Sequence, residues 1–302
     1  IKRMCSLTPP DCAIITTVGL AHLERFGSQE TIYKAKSELA QAVPQEGILV
    51  VNGDNEYTRR MAVEYRKNTT LIYGMDPTRG HLDSFMHDIQ YTENGTSFKI
   101  RWQEKEYEGF TNLLGKPMLE NVLGAFTMAC AVGVPADVAL AVIRNAKAES
   151  NRLELEKVQI GMMAHTNGTK PREGNIIRLN DAYNSNPVGF QAALEVLKSM
   201  PGDRKILVTP GMIELGEKQF HENKEAARQA ASICDMVLVI GDTNKDALLD
   251  GLKEGGLSPE NFKEFAHMKD ALKYLATEFC SSGDVVLIEN DLPDLYEAVV
   301  KF

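Results

Sequence analysis

The feature that most constrains this chain is a set of short, continuously apolar runs separated by amphipathic stretches. "AIITTV" (residues 13–18), "GILVVN" (47–52) and "TLIYG" (70–74) show no polar alternation. They read as strands covered on both faces, the pattern of a parallel sheet. Between the first two, "SQETIYKAKSELAQAV" sets Ile32, Ala35, Leu39 and Val43 on one helical stripe. Strand, helix, strand implies parallel pairing. Over residues 81–110 the period changes: "SFKIRW" alternates Phe98, Ile100 and Trp102 with polar residues, and "ENGTS" supplies an Asn-Gly turn. This predicts an antiparallel hairpin at the side of the first sheet. Helices are expected over 118–131 and 136–147.

A second series of the same kind comes after "ESNRLELEKV". Strands are expected at "NIIRLND", "KILVTP", "MVLVIG" and "DVVLIE", with helices starting at Pro187, Lys218, Asn244, Lys269 and Pro293. The clearest start is "NSNPVGFQAALEVL", where Asn186 can cap and Pro187 suits the first helical position, which needs no amide donor. The boundary between the series falls at residues 147–152. The chain is therefore read as α/β with two parallel-sheet domains, and its 302 residues suffice for two cores. No apolar run approaches the roughly 20 residues of a membrane helix. A net charge of −9, with basic residues interspersed among acids, argues against nucleic acid as a partner. Cys5, Cys12, Cys130, Cys234 and Cys280 lack any C-x-x-C spacing, which fits reduced thiols in a cytoplasmic protein. The first residue is Ile, with no basic-then-apolar leader behind it, so no targeting signal is read and the chain is expected to begin mid-protein.

Ligands of parallel sheets sit beyond the carboxyl ends of the strands, and three groups of side chains fall there. The first is Thr17, His22, Glu24 and Lys36: an imidazole able to ligate a metal and an amine able to react, or else a loop hydrogen bond and a solvated helix charge. The second is "LNDAYNSNP", which crowds Asp181, Tyr183, Asn184 and Asn186 into one turn. A carboxylate there can accept from ribose hydroxyls and amides can read a polar substrate, but the same residues also serve turns and caps. The third is Arg152 in "SNRLEL", either a bidentate phosphate ligand or a surface ion pair of little energetic weight. "LLGKP" lacks the upstream glycine and the Ser or Thr of a phosphate loop, and no G-x-G-x-x-G follows a strand, so a dehydrogenase reading has no motif behind it.

Taken in order, "TTVGLAHLERFGSQETIYKAKSEL", "VVNGDNE", "LLGKPMLENVLGAF", "SNRLEL", "LNDAYNSNP", "TPGMIELG" and "GDVVLIEND" resemble the Mur ligases, which add amino acids to the peptide of the bacterial cell-wall precursor. Within that family the segments resemble the branch that adds D-alanyl-D-alanine. The resemblance implies residues 1–149 as a central ATP-binding domain whose phosphate loop lies upstream of Ile1, and residues 150–302 as a Rossmann-like carboxyl-terminal domain. It implies an ATP-dependent amide ligase that activates a muramyl-peptide-like carboxylate as an acyl phosphate for attack by an amino acid or dipeptide amine. A piece without its phosphate loop would be inactive alone. ATP and magnesium are the implied cofactors.

By the same resemblance His22 matches a magnesium-ligating histidine. Lys36, and not its neighbour Lys34, matches a lysine carbamylated by carbon dioxide. Asn121 matches an asparagine beside adenine, Arg152 a phosphate ligand and Asp181 a residue near the ribose. Tyr183, Asn184 and Asn186 match a turn near the nucleotide and the incoming amine. The sequence departs from the family at three places. Pro117 and Met118 stand where His-Asn is usual, Thr16-Thr17 replaces Thr-Asn, and "ENDLPD" (289–294) replaces a basic K-G-S-R segment. The last change leads one to expect carboxylates where a substrate would meet cations, and it leaves a non-catalytic, nucleotide-binding relative as the alternative.

Overall fold

A computed structural model describes residues 1–19, 27–164, 168–183 and 185–291. The chain forms two compact units. One holds Ile1–Gln90, Ser97–Thr111 and Lys116–Ala146; the other holds Tyr91–Thr96, Asn112–Gly115 and the chain from Lys147 onward.

In the first unit β1 (Cys12–Ile15), β2 (Ile48–Asn52) and β3 (Thr69–Gly74) run parallel, and β4 (Ser84–Thr92) joins β3 in parallel through two residues. β5 (Gly95–Trp102) and β6 (Lys105–Thr111) complete a sheet of order β1-β2-β3-β4-β5-β6. The expected hairpin is thus a three-stranded meander. Its second turn, Gln103-Glu104, has φ of 49° and 63°, the left-handed pair that matches strand twist in a two-residue hairpin.

Five helices are described in this unit: α1 (Lys2–Leu7), α2 (Gln29–Ala42), α3 (Glu56–Glu64), α4 (Lys116–Ala131) and α5 (Ala136–Arg144). Ser28 caps α2 by accepting from the Thr31 amide at 3.2 Å, and Asn55 caps α3 through the Thr58 amide at 3.2 Å. Both are side-chain oxygens placed where the first turn leaves donors unmet. The buried seam of α2 runs through Ile32, Tyr33, Ser37 and Ala40 and packs with Leu49, Val51 and Met61. Ala35 and Leu39 of the expected stripe are only half-buried. α1 and α3 were not anticipated, because six and nine residues are too few for a periodicity to declare itself.

In the second unit the sheet order is β11-β10-β9-β12-β8-β7. β8 (Asn175–Asp181), β9 (Lys205–Thr209), β10 (Met236–Ile240), β11 (Phe262–Phe265) and β12 (Val285–Glu289) are parallel, and β7 (Glu154–Gln159) pairs antiparallel with β8 at the edge. Two strands escaped the sequence reading. β7 has only Leu155 and Val158 among polar residues, one on each face of the sheet, and β11 offers only Phe262 and Phe265, as edge strands do.

One face of this sheet carries α6 (Pro187–Ser199), α7 (Gln219–Ala231) and α8 (Lys245–Glu254) through Phe190, Leu194, Ala227, Ala230, Leu248 and Leu252. The other carries α9 (Met268–Tyr274) and the wider turn Leu275–Phe279, packed on Val286 and Ile288. The helix expected from Pro293 lies outside the described residues. Leu179 and Leu287 face the α6 side, so by the two-residue period of a strand Asp181 and Glu289 face it too. Asn186 accepts from the Gly189 amide at 3.0 Å, and Pro187 opens α6 as anticipated.

Phe190 is fully buried, whereas Val142 on α5 is 70% exposed. Phe190→Ala is expected to lower the stability of the second unit by about 3–5 kcal/mol, and Val142→Ala to change that of the first by less than about 0.5 kcal/mol. Urea unfolding followed by a probe in each unit measures both.

Candidate functional site

β1 stops at Ile15, three residues short of the expected end, because side chains, and not a neighbouring strand, satisfy the carbonyls of Thr17 and Val18. Lys36 Nζ donates to the Thr17 carbonyl at 2.6 Å, and Gln29 Nε2 donates to the Val18 carbonyl at 2.9 Å. Asn55 Nδ2 reaches Thr17 Oγ1 at 3.3 Å and Val18 O at 3.4 Å. α2 and the cap of α3 therefore fasten the strand's exit. Lys36 is half-buried, whereas Lys34 is exposed. Burial pushes the Lys36 amine below the usual lysine range, because removing water penalises the ammonium form. His22 and Glu24 lie outside the described residues. Among the described residues no three His, Cys, Asp or Glu side chains gather into a metal-binding group.

Beyond β2, "NGDN" builds a second polar cluster in this unit. Asn52 Oδ1 accepts from the Asp54 amide at 2.8 Å, and its Nδ2 donates to Glu120 Oε2 at 3.1 Å. Asp54 in turn accepts from the amides of Met75 (2.7 Å) and Asp76 (3.1 Å). Burial raises the Glu120 carboxyl above its usual range, with the Lys116 ammonium at 4.0 Å pulling the other way. The Tyr73 hydroxyl is buried with no hydrogen-bond partner. Asn121, the next residue on α4, is exposed, and Pro117 occupies the first turn of that helix, which tolerates it. Glu120 and Asn52 were not singled out from the sequence. The signal for Asn52 was a polar residue closing an apolar strand; Glu120, on α4, carried none.

In the second unit Asp181, at the end of β8, is the centre of a clip. Its Oδ1 accepts from the Leu153 amide at 3.0 Å and its carbonyl accepts from the Asn290 amide at 3.0 Å. Asn180 Nδ2 donates to Asn151 Oδ1 at 2.9 Å, and the Tyr183 amide donates to the Asn151 carbonyl at 3.0 Å. Asn151 and Leu153 both hold left-handed φ values, 62° and 48°, strain that persists only where surroundings impose it. Arg152, between them, lies over the Tyr183 ring at 4.7 Å and pairs with Glu149 at 3.3 Å. Arg152, Asp181 and Tyr183 are thus brought together. Asn186 spends its carboxamide oxygen on the α6 cap, and Asn184 lies outside the described residues.

The expectation that residue 289 presents a carboxylate to substrate is overturned. Glu289 is 1% exposed and turned inward, where the buried Ser185 hydroxyl donates to its Oε1 at 2.5 Å. The chain turns at Asn290 (φ 67°), whose Nδ2 donates to the Gly211 carbonyl at 2.6 Å. Gly211 belongs to "TPGMIELG", held further by Asn223, which accepts from the Met212 amide at 2.7 Å, and by Asn244, which donates to the Pro210 carbonyl at 2.9 Å. Residues 292–294 lie outside the described residues.

Two parallel-sheet units, each with a polar cluster at the carboxyl ends of its strands, accord with the family assignment. The Mur ligase middle domain matches residues 2–129, and the Mur ligase glutamate ligase domain matches residues 169–289. The chain belongs to the Mur ligase family. It is 29% identical to the UDP-N-acetylmuramoyl-tripeptide–D-alanyl-D-alanine ligase of Bacillus subtilis over 304 residues, covering all of this chain and 61% of that relative. The Escherichia coli enzyme of the same name is 31% identical over 240 residues, which cover 78% of this chain and 49% of the relative. The fold matches that of the MurF ligase from Thermotoga maritima, solved in complex with ADP, with a TM-score of 0.76 at 23% identity over 96% of this chain and 61% of that one. The chain thus spans about half to three fifths of the length of these proteins.

Asn55 both caps α3 and ties the exit of β1. Asn55→Ala is expected to cost about 1–2 kcal/mol, whereas Asn55→Asp, which keeps the capping oxygen, costs less. Thermal unfolding ranks the two, and the reverse order would separate Asn55 from the cap.

Proposed function

We propose that this chain is the ATP-using portion of an amide ligase in cell-wall precursor synthesis, with residues 1–149 as the central ATP-binding domain and 150–302 as the carboxyl-terminal domain. The observation that carries this reading is the Lys36 amine, half-buried and seated on the Thr17 carbonyl while Lys34 points to solvent, in a chain matched by both Mur ligase domains. Two relatives named as ligases that add D-alanyl-D-alanine support the same substrate class. The acceptor is an amino acid or dipeptide amine, and the donor is a muramyl-peptide-like carboxylate. No described helix is long and apolar enough to cross a membrane, and we place the reaction in the cytoplasm, where ATP is available.

A carboxylate is a poor electrophile, so its oxygen first attacks the γ-phosphorus of ATP and releases ADP. The amine then attacks the acyl carbon, the amide bond forms, inorganic phosphate leaves, and the amine gives up a proton to solvent. Positioning and charge compensation dominate phosphoryl transfer. In this chain Arg152, held by the clip around Asp181 and stacked on Tyr183, offers a planar donor pair for a phosphate. By the family resemblance Asp181 is assigned to the ribose, Tyr183, Asn184 and Asn186 to the nucleotide and the incoming amine, and the exposed Asn121 to adenine.

Carbon dioxide adds to neutral amines only, so the lowered range of Lys36 favours carbamylation: a nitrogen–carbon bond forms and one proton leaves. The product keeps an N–H that can still donate to Thr17 and gains a carboxylate-like pair of oxygens. With the His22 imidazole, those oxygens suit a magnesium ion, which would supply charge neutralisation at the phosphoryl oxygens.

In the full-length protein, Lys36→Ala is expected to lower ATP turnover by roughly 10²-fold or more, with partial recovery on adding small carboxylates, while Lys34→Ala keeps it. Assays with magnesium, bicarbonate and a panel of amino-acid and dipeptide acceptors decide the matter. Nucleotide binding without product under all of them would instead assign the chain to the non-catalytic class.

A further inference from the structure

Glu289 and Asp181 are register partners on the adjacent parallel strands β12 and β8, so their side chains leave the same face of the sheet side by side. Glu289 Oε1 receives the Ser185 hydroxyl at 2.5 Å, and Ser185 is itself 4% exposed. Glu289 Oε2 is buried with no hydrogen-bond partner. On the Asp181 carboxylate, Oδ1 is taken by the Leu153 amide. Two ionised carboxylates left side by side out of water would repel each other and leave Oε2 unsatisfied, a cost of several kcal/mol. The charged groups acting on the pair do not offset this. Arg152 acts on Asp181 but is engaged with Glu149 and the Tyr183 ring. The amino end of α6, capped by Asn186, favours a single negative charge.

We infer that Glu289 holds a proton on Oε2 directed at Asp181, and that through this proton it is the positioning residue for the clip that carries Arg152. The bridge leaves Asp181 with one charge and keeps its Oδ1 on the Leu153 amide. That amide fixes the left-handed Asn151-Arg152-Leu153 segment and sets the Arg152 guanidinium over Tyr183. Ser185 then anchors Glu289 from the far side, so both oxygens of Glu289 have partners. Burial, then the Asp181 charge, pushes the Glu289 carboxyl well above its ordinary value of 4.5, against the Ser185 hydroxyl that pulls it down. Burial likewise raises Asp181, opposed by the Leu153 amide and Arg152. The folded state therefore binds a proton that the unfolded chain has released, and the stability this proton provides is complete below about pH 4.5 and declines as pH rises towards the folded value.

That Arg152 meets a phosphate rests on the function proposed for this chain, but the proton bridge does not, and the experiment reads the bridge without nucleotide. Infrared spectra of the wild-type chain with carboxyl-labelled glutamate should contain, at neutral pH, a protonated-carboxyl band that moves with the label. The band should vanish in Glu289→Gln and persist in Glu120→Gln, which removes the other glutamate with a raised carboxyl among the described residues. Exchange of the Leu153 amide gives the positioning readout. Its protection should survive in Glu289→Gln, whose amide can donate to Asp181 in the proton's place, and fall by about tenfold in Glu289→Ala. In the wild type it should also fall as pH rises. No glutamate-derived band at neutral pH, a band untouched by Glu289→Gln or lost in Glu120→Gln, or Leu153 protection unchanged in Glu289→Ala would overturn the inference. Should the Gln variant fail to fold, the labelled wild type and Glu120→Gln still decide it.

Discussion

Parallel strands that end at the edge of a sheet leave carbonyls and amides without ladder partners, and a buried main-chain group without a partner costs about as much as a lost hydrogen bond. One polar cluster in each unit supplies partners for such strand-end groups. In the first unit, side chains of Lys36, Gln29 and Asn55 take the carbonyls of Thr17 and Val18. In the second, Asp181 takes the Leu153 amide while Asn290 and Asn244 take the carbonyls of Gly211 and Pro210. The residues that finish the sheets are therefore the residues that chemistry can use, because they are polar, fixed by their own hydrogen bonds and placed where parallel sheets bind ligands.

This double duty explains why the two lysines of α2 differ although they stand two residues apart. At about 100° per residue, Lys36 falls inside the arc of Ile32, Tyr33, Ser37 and Ala40 that packs on the sheet, and Lys34 falls on the opposite side. The amine that can reach the end of β1 is thus selected by helix geometry. Its partial burial lowers its hold on a proton, which is the condition for reaction with carbon dioxide.

Much of the fold was legible because continuous apolar runs leave few alternatives. β2, β8, β9, β10 and β12 lie where those runs stand, and Asn186-Pro187 opens α6 as its chemistry demands. What escaped was short or half-exposed: α1, α3, β7 and β11 have too few buried residues to set a period. Of the candidate site, Arg152, Asp181 and Tyr183, singled out through motif order, are gathered in one clip, but the residues that hold them were not singled out. Asn151 and Leu153 matter through left-handed backbone, and Ser185 through a bond to a residue 104 positions away; neither leaves a mark in local sequence. Glu289 was misread as an outward charge. β12 is continuously apolar and its sheet is covered on both faces, so a residue in its last position meets a helix layer whichever way it points.

We propose that its seat at the end of β1 makes Lys36, and no neighbouring amine, the group that carbon dioxide modifies. Carbon-13 NMR of the protein equilibrated with labelled bicarbonate tests it most directly. A carbamate carbon that is lost in Lys36→Ala and retained in Lys34→Ala is the expected result. A spectrum with no carbamate signal, or one whose signal tracks Lys34, would contradict it.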